Sequence, residues 1–424
     1  MPTEREAQRD AVRRLRLPST IRERCANITA AVIAGDSPHF TLDASRLGEV
    51  ARRVARLTLE RFPSLHVPYH SRWRHFEAGG VDRKAILNAQ FAGRDAVDIA
   101  RAQIELTLVS VLLDAGAGPD WRYQEAASGR RFAHSEGLAL ASFHAFVEGR
   151  FSSDLREPCR VDATALERMD TLTLASIFQA NEGNPLVGLE GRAVLLRRLG
   201  QALRERPKSF GPLGRPGYLF DVLTHPSVSD TVSELPGARV AVQRVGAPHI
   251  LRALLKAFSG IWPSGQMLGR EPVGDVWPHR HAGGEGPDAG RVPFHKLSQW
   301  LTYSLVEPFE GAGVQVDRLD ELTGLPEYRN GGLLLDGGVI LPRDPAFSTR
   351  IYAVSEPWVI EWRALTVTLL DELAQRVRAE LREPRLSLAR VLEGGTWLAG
   401  RQLAAELRPG GPPPVRVASD GTVF

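Results

Sequence analysis

Helical periodicity is the feature of this sequence that most restricts its fold. Apolar residues recur every three to four positions in many segments, which is the spacing of one buried face on an α-helix. Some of these segments begin with a helix-capping residue, as Asp162 does before the ladder that follows it. The segments are residues 18–34, 42–61, 93–115, 135–149, 162–179, 188–205, 247–259, 295–310 and 357–381. The sequence therefore predicts a mainly α-helical, multi-helical protein.

Strand signals are few and come late in the chain. Two places have the pattern of a β-hairpin, in which a turn with aspartate and glycine separates two short apolar runs. They are Leu333–Leu335 with Val339–Leu341 around Asp336-Gly337-Gly338, and Val415–Val417 with Thr422–Phe424 around Asp420-Gly421. We therefore predict a small β-hairpin appendage.

Residues 263–293 are rich in glycine and proline and show neither a helical nor a strand period. A segment of this kind is predicted to form a mobile surface loop. The triplet His279-Arg280-His281 lies within it and is predicted to be solvated.

The length and the charge pattern exclude some classes of protein. A chain of 424 residues is predicted to form a single domain over 1–424, or two lobes of about 1–245 and 246–424 with the site between them. Its 53 basic and 50 acidic residues are interspersed, so there is no basic stripe of the kind that nucleic-acid binding requires. No apolar run reaches the roughly 18 residues of a membrane span. We expect neither nucleic acid nor membrane as a partner.

Cysteine usage indicates a reducing compartment. Cys25 and Cys159 lie far apart and fit neither a metal site nor a disulfide framework. The first residues are charged and contain no apolar signal segment. The predicted location is the cytoplasm.

Lysine is scarce, and this makes Lys296 conspicuous. Only four of the 53 basic residues are lysines, namely Lys84, Lys208, Lys256 and Lys296. A compact ammonium group differs from a guanidinium because it can change its pKa on burial. Lys296 lies in a polar and aromatic stretch, Phe294–Trp300, and Glu327 follows later in a glycine-rich turn.

A cation and a carboxylate are what the hydrolysis of an N-glycosidic bond requires. The carboxylate stabilises an oxocarbenium-like sugar or activates water, and the cation donates to the leaving nitrogen. Gln299 lies one helical turn from Lys296 on the same face and would add a donor. The plainer alternative, which the spacing alone favours, is a surface lysine in an ion pair and a solvated glutamate beside a turn.

A second cluster, residues 68–83, is dense in aromatic and hydrogen-bonding side chains and has no regular period. A loop that lines a pocket has this character. The candidates in it are Tyr69, His70, Arg72, Trp73, His75, Phe76 and Asp82. A metal site is not expected, because Pro68 breaks the helix that would bring His66 and His70 together.

The start of the last long helix carries two tryptophans. Trp358 and Trp362 share a face and are predicted to be core residues. Glu361 and Arg363 lie off that face, and an exposed position is the favoured interpretation, although either could reach a cleft.

Three of these stretches resemble a known family, the uracil-catabolism proteins of the fungal and bacterial pathway that degrades uracil through ribosylurea. The resemblance rests on Tyr69–Arg83, Phe294–Ser304 and Leu325–Ile340, and it extends over nearly the whole chain. It implies a role in the breakdown of uracil.

A more distant similarity concerns the Phe294–Gln299 segment and Glu327-Tyr328-Arg329. These resemble segments of the queuosine salvage protein family, which are nucleoside 5′-phosphate N-glycosidases with a fold like that of helix-hairpin-helix DNA glycosylases. Trp358–Arg363 resembles a third segment of that family. The resemblance implies that Lys296 and Gln299 line the site, and that Glu327 takes the place of a catalytic aspartate.

Two departures from that pattern concern carboxylates. Glutamate replaces the catalytic aspartate at position 327, and uncharged Tyr303 or Ser304 replaces a second aspartate. Asp336 could supply the second carboxylate. The predicted catalytic set is Glu327, Lys296 and Asp336. The predicted substrate-binding set is Tyr69, His70, Arg72, Trp73, His75, Phe76, Asp82, His295, Gln299, Tyr328, Arg329, Asn330 and Glu361.

These expectations combine into an N-ribosyl hydrolase of uracil catabolism that acts on ribosylurea or its 5′-phosphate, a small-molecule ribosyl substrate, and releases urea. Such an enzyme needs no cofactor and no metal, because water is the nucleophile and side chains supply the charges. Three alternatives stay open: a non-catalytic ligand-binding or scaffold protein of the same pathway, a metal-dependent ureide hydrolase, and a DNA-lesion glycosylase. The absence of a basic stripe argues against the last.

Overall fold

A computed structural model describes residues 3–225, 230–231, 243–262 and 265–418. The fold is mainly α-helical, as predicted. The helices are α1 (Glu4–Leu15), α2 (Pro18–Ala34), α3 (Leu47–Arg61), α4 (Arg72–Phe76), α5 (Arg83–Ala89), α6 (Ala96–Leu112), α7 (His134–Val147), α8 (Ala163–Glu167), α9 (Thr171–Phe178), α10 (Leu189–Arg204), α11 (Pro207–Phe210), α12 (Leu219–Thr224), α13 (Ala247–Phe258), α14 (Lys296–Gly311), α15 (Tyr328–Asp336), α16 (Pro357–Leu381), α17 (Leu388–Val391) and α18 (Trp397–Leu407).

The strands of the described residues are two to four residues long. They are β1 (Phe40–Leu42), β2 (Tyr123–Gln124), β3 (Arg131–Phe132), β4 (Asp230–Thr231), β5 (Gln243–Gly246), β6 (Gln266–Leu268), β7 (Glu271–Gly274), β8 (Val276–Pro278), β9 (Arg291–Pro293), β10 (Gln315–Asp317), β11 (Ile340–Pro342), β12 (Ile351–Ala353) and β13 (Arg416–Ala418). The pairs β1–β11, β2–β3, β6–β7 and β8–β9 are antiparallel, and β12–β13 is parallel. Strand β5 pairs with β4 antiparallel and with β10 parallel.

Helix α16 is central to the packing, because it contacts α2, α3 and α15. Its Trp358 and Trp362 are buried, which confirms the core position predicted for them. One hydrophobic cluster extends along the chain from Ile21 to Val415. The division into one domain or two lobes stays a prediction.

The predicted hairpin around Asp336-Gly337-Gly338 is wrong. Leu333–Leu335 belong to helix α15, which packs against α18. A short apolar run has the same appearance in a buried helix and in a buried strand, and here the helix forms because Glu327 caps its start. The second run contributes to β11, whose partner is β1 near the other end of the chain.

The second predicted hairpin is described only in part. Residues 416–418 form strand β13, which pairs in parallel with β12. The turn at Asp420-Gly421 and the run 422–424 lie outside the described residues.

The predicted mobile loop 263–293 is instead largely structured over residues 265–293, in the two hairpins β6–β7 and β8–β9. Buried polar anchors hold it: Asp288 forms ion pairs with Arg14 and Arg24. His279 is buried, so the prediction that it is solvated is wrong.

The exposed position favoured for Glu361 and Arg363 is also wrong, since both side chains are buried. Glu361 accepts a hydrogen bond from Ser37 and lies 3.5 Å from His279 Nε2. Arg363 pairs with Asp275. Helical periodicity does not reveal such partners, because they come from other parts of the chain.

None of the helices in the described part of the chain combines the length and the apolar character that crossing a bilayer requires.

Candidate functional site

A cavity of about 590 Å³ lies where helices from distant parts of the chain meet. It is bordered by α4, the end of α6, the start of α7, α14, α15, α18 and the segment before β13. Its polar and aromatic lining consists of His70, His75, Asp114, Arg122, His134, Ser135, Lys296, Trp300, Glu327, Tyr328, Arg329, Trp397 and Arg416. The cavity therefore brings together Lys296 and Glu327, with His70, His75, Tyr328 and Arg329 of the predicted binding set.

Lys296 is the first residue of α14, and hydrogen bonds to Asp275 hold the backbone of this segment in place. The Lys296 N–H donates to Asp275 Oδ2 at 3.1 Å, and the Phe294 N–H donates to the Asp275 carbonyl at 2.9 Å. Arg363 holds the same carboxylate through two hydrogen bonds of 2.8 Å. The position of the lysine thus depends on a buried ion pair that lies outside its own helix.

Burial lowers the pKa of the Lys296 ammonium below its usual range, while Glu327 and Asp114 oppose that shift. No carboxylate of the described residues forms an ion pair within 4 Å of its Nζ. A buried ammonium with a lowered pKa releases its proton more readily and is therefore suited to proton donation.

The carboxylate of Glu327 caps helix α15. Oε2 accepts a hydrogen bond of 2.7 Å from the Arg329 N–H, and Oε1 accepts one of 2.6 Å from the Asn330 N–H. The side chain is only 8 % exposed, yet it lines the cavity. These two hydrogen bonds hold the Glu327 side chain in place at the cavity wall.

Asp114 is a second carboxylate of the cavity and is not among the residues predicted from the sequence. One oxygen lies 2.9 Å from Arg72 Nη1, and the other accepts a hydrogen bond of 3.1 Å from Ser135 Oγ. Burial opposes its ionisation, but Arg72, His75 and Lys296 more than offset this and lower its pKa below the usual range. An aspartate at the end of a long apolar helix and before the Gly116–Pro119 turn is the signal that could have found it.

Asp336, the carboxylate predicted for that role, does not reach the cavity. It pairs with Arg408, whose Nη1 and Nη2 lie 2.8 and 2.5 Å from its two oxygens. The prediction assumed a hairpin turn, whereas Asp336 is the last residue of α15 and turns away from the end of the helix that carries Glu327.

Aromatic rings form one wall of the cavity. The His75 ring lies 5.7 Å from Trp300 and 6.4 Å from Trp397, both edge-on. Burial and the nearby Arg72 lower the pKa of His75 to about 4, so it is neutral at pH 7. Among the described residues, neither His75 Nδ1 nor Trp300 Nε1 finds a hydrogen-bond partner. The wall therefore offers stacking surface to a ligand.

Several predicted binding residues are buried beneath the residues that line the cavity. Arg72 is fully buried, donates hydrogen bonds to Ser110 Oγ and to the Ser135 carbonyl, and forms an ion pair with Asp114. Trp73 and Phe76 are core residues. They do not line the cavity.

Residues near Lys296 and Glu327 also have structural partners. Gln299 is buried and bonds to the Phe294 carbonyl and to Thr323. His295 bonds to the Leu15 carbonyl at 2.9 Å, and Asn330 donates to the Leu325 carbonyl at 3.1 Å. They are not part of the cavity lining, and they fix the two segments that carry the cation and the carboxylate.

Three other predicted residues lie away from the cavity lining. Tyr69 donates to Glu310 at 3.2 Å, and exposed Asp82 caps helix α5. Glu361 belongs to the buried group with Ser37 and His279. Within the described residues, no three His, Cys, Asp or Glu side chains are arranged to hold a metal ion.

A pH-dependent stability follows from His295. Burial lowers its pKa from 6.5 to about 4, so below pH 6.5 the unfolded chain binds a proton that the folded protein does not. The free energy of unfolding should therefore decrease as the pH falls through this window, by about 2 kcal/mol between pH 7 and pH 5 from this residue. We expect urea unfolding to show a smaller decrease for His295→Asn, a residue that tolerates the left-handed backbone found here (φ 49°). An equal decrease in both proteins would contradict this assignment.

Comparison with known proteins gives a match over almost the whole chain. A family model described as "Protein of unknown function (DUF1688)" matches residues 14–424. The chain is 38% identical over 418 residues to Uracil catabolism protein 4 of Lachancea kluyveri, a match that covers 92% of this chain and 93% of that protein. It is 41% identical over 397 residues to Protein urg3 of Schizosaccharomyces pombe, covering 91% and 92%. These matches confirm the resemblance to the uracil-catabolism proteins, whereas the similarity to the queuosine salvage family stays a prediction.

Proposed function

This chain belongs to the family described as "Protein of unknown function (DUF1688)", and on that premise we propose that it acts in uracil catabolism as an N-ribosyl hydrolase, releasing urea from ribosylurea or its 5′-phosphate. The pathway comes from the relatives, because the Lachancea kluyveri protein is named for uracil catabolism and its similarity covers most of both chains. The cavity supports the proposed reaction type.

The observation that supports this reaction most directly is that Lys296 and Glu327 line one cavity with an aromatic wall. A volume of about 590 Å³ is ample for a pentose and a urea group. Trp300 and Trp397 line the cavity and offer flat surfaces to the sugar.

Breaking the bond between the anomeric carbon and nitrogen leaves positive charge on the sugar and negative charge on urea. Glu327 and Asp114 would stabilise the oxocarbenium ion, since both carboxylates are held in fixed positions. Lys296 would donate a proton to the departing nitrogen, which is a poor leaving group without it. Water then adds to the anomeric carbon, and neither a metal nor an organic cofactor is required.

The test is to incubate the purified protein with ribosylurea and, separately, with its 5′-phosphate, and to measure free urea. We expect urea and the free sugar in equal amounts from at least one of the two. Tight binding of both compounds without turnover would instead identify a ligand-binding or scaffold protein. Turnover that a chelator abolishes and a divalent metal restores would identify a metal-dependent ureide hydrolase.

A further inference from the structure

His70 lines the cavity but has no role in the chemistry described above. The residue precedes α4 and is fixed by its backbone N–H, which donates to the Ala389 carbonyl at 3.0 Å. Its Nδ1 lies 3.0 Å from Glu393 Oε2, and its ring centroid lies 6.4 Å from that of Trp300. The ring is thus held on one side by a carboxylate and faces the aromatic wall.

Glu393 is itself firmly positioned. Arg61 Nη2 lies 2.9 Å from its Oε1, and Arg61 Nη1 donates to its backbone carbonyl at 2.5 Å. Burial would raise the pKa of Glu393, but the bond to His70 and the charge of Arg61 more than offset this and lower it. Glu393 is therefore ionised at neutral pH and can accept only hydrogen bonds, which places a proton on His70 Nδ1.

An irregular turn brings Glu393 to this place. Leu392–Thr396 form a single π-helical turn between α17 and α18, and turns of this kind often mark functional sites. Two glycines allow the turn to pack against α3, because a Cβ at Gly394 would lie 2.8 Å from Thr58 Oγ1 and one at Gly395 would lie 2.6 Å from the Val54 carbonyl. A glutamate followed by two glycines inside a helical pattern is the sequence signal for this feature.

With Nδ1 protonated, His70 keeps an electron pair on Nε2, and this atom forms no hydrogen bond within the described part of the chain. An imidazole with one nitrogen bound to a carboxylate and the other free is the arrangement of a general base. We propose that His70 takes a proton from the attacking water in the cavity, and that Glu393 is the positioning residue that sets its tautomer. This inference rests on the proposed function.

The step balances as follows. The bond between the anomeric carbon and the urea nitrogen breaks, its electron pair goes to nitrogen, and the Lys296 ammonium protonates that nitrogen. The water oxygen forms the new bond to the anomeric carbon and loses one proton to His70 Nε2. Solvent then returns this proton to the Lys296 amine, so that one water is consumed for each urea released.

The test combines His70→Ala with chemical rescue. We expect kcat for urea release to fall by about 10²-fold or more, and added imidazole to restore part of it. His66→Ala, which removes an exposed histidine of the same segment, should keep the activity of the wild-type protein. His70→Gln, which keeps a donor for Glu393, should be folded and as inactive as His70→Ala.

Glu393→Gln provides a readout that a purely structural role would not change. The carboxylate stabilises the protonated imidazole, so its loss should shift the acidic limb of the pH–rate profile to lower pH. The titratable and charged groups around the ring are Glu393, Arg61 and His75, and only the first is altered. An unchanged acidic limb would overturn the role of Glu393.

Independent of turnover, ¹⁵N NMR of labelled histidine should show His70 with its proton on Nδ1. A proton on Nε2 at neutral pH would overturn the assignment as a base. Urea release by the wild-type protein together with a folded His70→Ala variant that imidazole does not rescue would also overturn it, while leaving the proposed function intact. No urea release by the wild-type protein would instead overturn the proposed function, and this inference with it.

Discussion

Substitution of Lys296 with alanine or of Glu327 with glutamine is expected to lower kcat for urea release by about 10²–10³-fold each, or about 2.7–4 kcal/mol of transition-state stabilisation. Both groups interact with charge that develops only as the bond to urea breaks, so the substrate Kd should change much less than kcat. Single-turnover measurements of urea release, with binding measured separately, provide the check.

Matched controls separate charge from stability in these variants. Lys256→Ala removes an exposed lysine of α13 and should leave kcat unchanged. Asp170→Asn removes the charge from the cap of α9 as Glu327→Gln removes it from the cap of α15. Asparagine caps helices about as well as aspartate, so the change at Asp170 should cost little stability, and Glu327→Gln should cost no more than about 1 kcal/mol. Only the substitution at Glu327 should affect urea release. Turnover within two-fold of the wild-type rate by Lys296→Ala or Glu327→Gln would remove that residue from the catalytic set.

The sequence predicted the parts of the fold and of the site that local pattern determines. The helical period of residues 18–34 and 357–381 corresponds to α2 and α16 with the same bounds, because a long amphipathic or buried stretch has few alternatives. Lys296 and Glu327 can be recognised from the sequence alone, because lysine is rare in this chain and Glu327 lies in a glycine-rich turn. Both do line a single cavity.

What the sequence could not predict depends on contacts between distant segments. Asp114 stands out only when Arg72 and Ser135 are seen beside it, and His70 acquires a defined tautomer only through Glu393, 323 positions further along the chain. Asp336 is a carboxylate, as the predicted role required, but it does not line the cavity, because its segment forms helix α15 and not the expected hairpin. Residue types and turn signals identify candidates for a site, whereas hydrogen-bond partners decide which of them face it.

Substitution of Arg363 with methionine is expected to cost about 3–5 kcal/mol of folding free energy, the range for removal of one partner of a buried ion pair. Burial alone would raise the pKa of Asp275, and Arg363 more than offsets this, so that the carboxylate is charged in the folded protein. Without the guanidinium, Asp275 must stay buried as an unpaired charge or take up a proton. Urea unfolding at pH 7 measures the loss.

A second charged pair on the same helix provides the comparison. Arg376 pairs with Glu372 one turn away at 2.7 Å, but both side chains are more than 40% exposed, at 43% and 45%. Solvent screens that pair, so Arg376→Met should cost no more than about 0.5 kcal/mol. A similar loss of stability for Arg363→Met and Arg376→Met would show that the buried pair contributes no more to the free energy of unfolding than the exposed pair does.

The double variant Arg363→Met/Asp275→Asn shows why the pair matters for the site. Replacing both partners removes the buried charge, so its destabilisation should be clearly less than the sum of the two single variants. The start of α14, however, loses the carboxylate that accepts from the Lys296 N–H, and a neutral amide is a weaker acceptor. We therefore expect the double variant to recover stability without recovering urea release. Recovery of both would mean that the position of Lys296 does not depend on Asp275, and that α14 alone holds the cation in the cavity.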